Sequence, residues 1–82
     1  GGIIATILDE MAVWAAYKTG HRSVTGELRV RMRMPMDIDQ VYTAEAKVVS
    51  VKHRLIEAES FILDSGRALV AQARVKLITI DN

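Results

Sequence analysis

The 82-residue sequence contains no cysteine and only one proline. Without thiols it can form neither a disulfide framework nor a thiolate zinc site, which suits a reducing compartment and leaves packing and a partner subunit to hold it together. Charge bias is also missing: 11 Lys and Arg stand against 10 Asp and Glu, a formal net charge of +1, with the two signs interspersed. That argues against the broad basic footprint of a nucleic-acid binder and leaves room for a small anionic ligand. Long apolar runs are absent too. The longest, Ile3 to Leu8 and Met11 to Tyr17, are split by Asp9-Glu10 and fall short of the roughly 20 residues that a membrane span needs. No signal-peptide pattern is present, so the sequence reads as soluble and cytoplasmic, and its opening inside a structural element suggests that an N-terminal piece precedes it.

Half of the residues are hydrophobic, enough for one thin core. From Gly1 to Tyr17 strong helix formers carry apolar side chains on almost every face, and Gly20 follows where a C-terminal cap belongs, the pattern of a buried central helix. Its charges are Asp9, Glu10 and the terminal Lys18. Asp9 shares a helical stripe with Ala5, Ala12 and Ala16, whose small side chains let a backbone or a ligand approach the carboxylate. Beyond Ser23 the period becomes two, with Leu28, Val30, Met32 and Met34 on one face of a strand and Arg29, Arg31 and Arg33 on the other, ended by Pro35. A second strand is expected over Val41 to Val51, a third over Leu55 to Leu63 and a fourth over Ala68 to Ile80. The last two are joined by Asp64-Ser65-Gly66-Arg67, where Gly66 is expected to supply a positive φ. Glu57 and Glu59 are then placed to meet Arg74 and Lys76 across the strands. The Lys52-His53-Arg54 turn has no glycine, but His tolerates positive φ better than most residues. One helix and four strands make an α+β pattern, with the sheet burying the helix on one face and its other face charged and wet.

The opening Gly1-Gly2-Ile3-Ile4-Ala5-Thr6-Ile7-Leu8-Asp9-Glu10 resembles the helix-start motif of hotdog-fold acyl-CoA thioesterases of the phenylacetate-degradation type: His-Gly-Gly, six mostly apolar or small residues, then an acid. Val24-Thr25-Gly26-Glu27-Leu28-Arg29-Val30 through Pro35 is similar to that family's next strand, and Ala44-Glu45-Ala46 and Gly66-Arg67-Ala68-Leu69-Val70-Ala71 also match its character. The segment Asp37 to Gln40 departs from it, since glycine often stands there in the family. The resemblance implies a hotdog fold, an antiparallel sheet wrapped around one long central helix. Residues 1–82 would form a single such domain, without the N-terminal strand and the histidine that precede the two glycines in the family.

Thioester hydrolysis needs a group to activate water or attack the carbonyl, and donors for the oxyanion. The unpaired N–H groups of the first helical turn, at Gly1 and Gly2, are suited to the second task, and Asp9 to the first. Gly1 and Asp9 are separated by roughly 12 Å of helix, too far to reach one carbonyl. Two helices lying antiparallel across a twofold axis would bring the glycines of one chain to Asp9 of the other, so an obligate homodimer is expected, with a tetramer as the larger alternative. By the resemblance, Thr25 orients the attacking water. Lys52 and Arg54 are candidates for the phosphates of coenzyme A, which is a substrate here and not a cofactor. Glu10, His21 and His53 read as surface groups, no metal site is expected, and the arginine row reads as a solvated strand face. Trp14 reads as core or interface packing. Two rivals to a thioesterase are an acyl-CoA-binding module without chemistry and a dehydratase or hydratase of acyl thioesters, the latter disfavoured because no His is paired with an acid.

Overall fold

In a computed structural model of the chain, which describes residues 2–80, helix α1 (Gly2–Lys18) is followed by strands β1 (Ser23–Met32), β2 (Thr43–Lys52), β3 (Leu55–Leu63) and β4 (Leu69–Thr79). The strands form one antiparallel sheet in the order β1-β4-β3-β2, and α1 lies across one of its faces. This is the expected hotdog arrangement. The helix stops where the glycine predicts: Gly20 has φ 95°, His21 N donates to Ala16 O at 3.1 Å and Gly20 N to Tyr17 O at 2.9 Å. That bond pattern pairs carbonyls the last turn would leave open.

The core is a meeting of small residues. Leu8, Ala12 and Ala16 on the helix are fully buried against Ile56, Ala58, Ala71, Val75 and Leu77 of the two central strands. The alanines on both sides let the backbones approach closely. Ser60, also fully buried, donates its hydroxyl to Leu8 O at 2.8 Å and ties β3 directly to the helix.

Three expectations need correction. The apolar helix is covered on one side only, since Ile3 is 79% exposed and Trp14 and Tyr17 are each 55% exposed, because a single sheet can bury one stripe of a helix and no more. Trp14 is therefore no core residue of this subunit. At the β3–β4 turn the positive φ falls on Arg67 (φ 68°) and not on Gly66. The cause is Asp64, whose Oδ1 accepts from Gly66 N at 2.9 Å and Ala68 N at 2.8 Å while its carbonyl accepts from Arg67 N at 2.9 Å, so the chain reverses one residue late. Lastly, Arg74 takes both acids of β3, Glu59 at 2.9 Å and Glu57 at 3.6 Å, although Lys76 stands opposite Glu57 in register. The other glycine-free turn follows expectation, with His53 at φ 57°.

Candidate active site

Asp9 lies in the middle of α1, half-buried, on the side that faces β1. Thr25 is near the start of β1, and simple alternation would put it on the wrong side of the sheet. Leu28 packs on the core opposite Val75 of β4, so an unbroken strand would turn Thr25 outward together with Arg29. A bulge between Thr25 and Glu27 prevents this. The extra residue is Gly26, and the change of parity places Thr25 opposite Leu77, an inward-facing core residue. A side chain at Gly26 would come to 3.2 Å from Ile78 Cδ1, so the bulge is seated closely on its neighbour. As a result the Thr25 hydroxyl donates a hydrogen bond to Asp9 Oδ1 across 16 residues of sequence.

That bond leaves the second carboxylate oxygen of Asp9 for other work. The arrangement is an acidic group held on a rigid helix and oriented by a hydroxyl on an outer strand of the sheet. It can position a water molecule or meet an electrophilic carbonyl. Of the remaining sequence-derived candidates, Gly1 lies outside the described residues. Gly2 opens the helix, where a Cβ would meet nothing within 4 Å, so its surroundings admit an approaching group. It is seven residues from Asp9, about 10 Å along the axis, and the two do not converge within one subunit. Lys52 and Arg54 sit on the β2–β3 turn. Arg54 Nη2 donates to Thr79 O at 3.3 Å, while Lys52 borders a shallow depression with Leu55 and Ile78 on the sheet face away from the helix.

Sequence reasoning passed over three contributors. Gly26 carried a signal, because a glycine inside a strand pattern marks a bulge. Ser60 did not, since a serine in a strand is ordinary until a helix carbonyl is found above it. His21 reads as a loop residue, yet its Nδ1 is buried, as is the hydroxyl of Ser23, and neither atom has a hydrogen-bond partner. Among the described residues no group of three or more His, Asp or Glu is placed to hold a metal ion, and no helix is long and apolar enough to cross a membrane.

A helix laid across a four-stranded antiparallel sheet defines the hotdog class of folds. The model of the thioesterase superfamily matches residues 1–75, and the chain belongs to that family. An X-ray structure of a thioesterase-superfamily protein is 32% identical, with a TM-score of 0.76 over 95% of this chain and 59% of its own. A Bacillus halodurans protein solved with CoA is 25% identical, with a TM-score of 0.85 over 98% of this chain and 58% of its own. A Streptococcus mutans protein bound to acetyl-CoA shares the fold at 16% identity, with a TM-score of 0.94 over all of this chain and 66% of its own. The chain thus spans about three fifths of the length of such relatives. No curated protein matches it.

Proposed function

We propose that this chain is the catalytic body of an acyl-CoA thioesterase, which hydrolyses a thioester to a carboxylic acid and free coenzyme A with Asp9 as the reactive carboxylate. The observation that carries the reading is the hydrogen bond from Thr25 to Asp9, made possible by the bulge at Gly26. Thr25 holds one carboxylate oxygen and orients the other toward water or the thioester carbon. Either course ends in the same products: water adds to the acyl carbon, the C–S bond breaks, and the thiolate leaves with a proton.

Donors for the oxyanion come from the N-terminal end of a second copy of α1, at Gly2 and the Gly1 that precedes it in sequence, because Gly2 of the same chain is about 10 Å away. The active unit is accordingly a homodimer, with a tetramer as a further assembly; Thr25 lies on β1, an outer strand of the sheet. Coenzyme A enters as substrate, in keeping with the CoA and acetyl-CoA held by two structural relatives. Crystal structures of a thioesterase protein from Streptococcus pneumoniae, sharing the fold at 16% identity, include variants with an aspartate and, separately, a threonine replaced by alanine. Those two positions are 16 apart in that chain, the separation of Asp9 and Thr25 here.

The test is release of free thiol from short, long and aromatic acyl-CoAs by the complete protein, with Asp9→Asn and Thr25→Ala alongside. Asp9→Asn is expected to abolish turnover with the fold and assembly intact, and Thr25→Ala to lower kcat by about 10²-fold, in the range for loss of a group that assists proton transfer. Undiminished turnover in Asp9→Asn would overturn the assignment. Saturable acyl-CoA binding without turnover in the wild type would make the protein a ligand-binding module instead.

A further inference from the structure

Two hydroxyls of the sheet reach α1 at consecutive residues. Thr25 on β1 donates to the side chain of Asp9, and Ser60 on β3 donates to the carbonyl of Leu8 at 2.8 Å. The strand order β1-β4-β3-β2 sets the two donors on either side of β4, about 10 Å apart across the sheet. Leu8 and Asp9 are about 100° apart around the helix, so the two bonds grip it from different directions. Ser60 carries its hydroxyl on a single methylene, and its bond therefore demands a close approach of strand and helix. The residues around it allow one: Ala46 and Ala73 stand opposite Ser60 in register, and Ala58 precedes it on the same face of β3.

The helix does not require this bond. Inside α1 Leu8 O is the acceptor for the N–H four residues on, and Ser60 takes the second lone pair of an oxygen that is already satisfied. An alanine at position 60 would leave Leu8 O with its helical partner and would continue the alanines beside it. A fully buried serine stands there instead, bonded to the residue next to the one that bears the carboxylate. What the bond adds is position. Leu8 O and the Cα of Asp9 belong to the same planar peptide unit, so a strand that holds the oxygen also holds the point from which the Asp9 side chain departs. The Leu8 side chain is itself fully buried in the core, which fixes the same residue a second time.

We propose that Ser60 is a positioning residue for the reaction: from β3 it sets the place of the Asp9 backbone, at the distance where the Thr25 hydroxyl meets the carboxylate from β1. The inference rests on the acyl-CoA reading above. Ser60 has no accessible surface and touches no substrate, so it acts wholly through Asp9. Catalytic groups tolerate little displacement, and an error of about 1 Å can cost about 10²-fold in rate. Without the Ser60 hydroxyl the helix is free to shift by a fraction of that, and a loss of about tenfold in kcat is expected. Binding of acyl-CoA, which Ser60 does not contact, stays as it was.

The full-length protein is assayed with an acyl-CoA that it turns over. Ser60→Ala is expected to lower kcat about tenfold with KM within about twofold of the wild type. Ile62→Val trims the next inward residue of β3, also in the core, and is expected to shift the unfolding midpoint comparably while leaving kcat within about twofold. Added to Thr25→Ala, Ser60→Ala is expected to lower kcat by less than about threefold further, because both changes loosen the same carboxylate. A kcat in Ser60→Ala within about twofold of the wild type, an equal loss in Ile62→Val, or losses that multiply in the double variant would overturn the inference and leave the thioesterase reading standing. A second readout needs no turnover: the NMR signal of the Asp9 carboxylate carbon is expected to move in Ser60→Ala in the direction that Thr25→Ala moves it, and to stay in place in Ile62→Val. That movement in a protein without thioesterase activity would uphold the placement of Asp9 by Ser60 while the catalytic reading fails. An Asp9 signal unmoved by Ser60→Ala would overturn the inference with or without turnover.

Discussion

The two sides of helix α1 are built from similar residues and have opposite fates. Leu8, Ala12 and Ala16 are wholly inaccessible, whereas Ile3, Trp14 and Tyr17 face outward at more than half exposure. Hydrophobicity alone does not separate them. What does is size: the buried stripe is dominated by alanine, and only there can the sheet backbone come close enough for Ser60 on β3 to reach a helix carbonyl. The side that carries the larger apolar groups cannot lie flat on the sheet and is left for a ligand or another chain.

The largest break in this comparison is expected from Leu8→Ala, which opens a cavity in the fully buried stripe and should cost about 2–5 kcal/mol in chemical denaturation. Ile3→Ala, on the exposed side of the same helix, should stay within about 0.5 kcal/mol. A greater loss at Ile3 in the assembled protein would show that another chain covers that side. Overpacking sharpens the contrast: Ala12→Leu is expected to destabilise by about 1–3 kcal/mol, while Glu10→Leu, exposed on the opposite side, changes stability little. Ser60→Ala removes the strand-to-helix tie at Leu8 O and should cost about 1 kcal/mol, measurable as a shift of the unfolding midpoint without a change in slope. The smallest effect has the opposite sign. Arg67→Gly relieves a positive φ at the β3–β4 turn and should stabilise by no more than about 1 kcal/mol, less whatever the exposed Arg67–Glu45 contact at 2.9 Å contributes.

Legibility followed the range of the interactions. The acid of the helix and the threonine of the first strand stood out as residues, but their meeting depended on a bulge. The period-two pattern from Leu28 to Met34 says nothing of the residues before it, and only the bulge at Gly26 turns Thr25 inward. The same limit hid His21, whose loop position says nothing of the burial of its ring nitrogen.

From sequence alone came the order of one helix and four strands, the stop at Gly20, the positive φ at His53 and the charged outer sheet face, because each is decided by neighbouring residues through backbone sterics and side-chain period. The tertiary structure decided which side of the helix is buried, which way Thr25 points, which residue of the Asp64–Arg67 turn takes the left-handed conformation, and that Ser60 finds Leu8. The Ser60–Leu8 and Thr25–Asp9 pairs join residues 52 and 16 positions apart. Such contacts depend on how closely two distant backbones approach, a distance set by packing the whole core and encoded in no single stretch of chain.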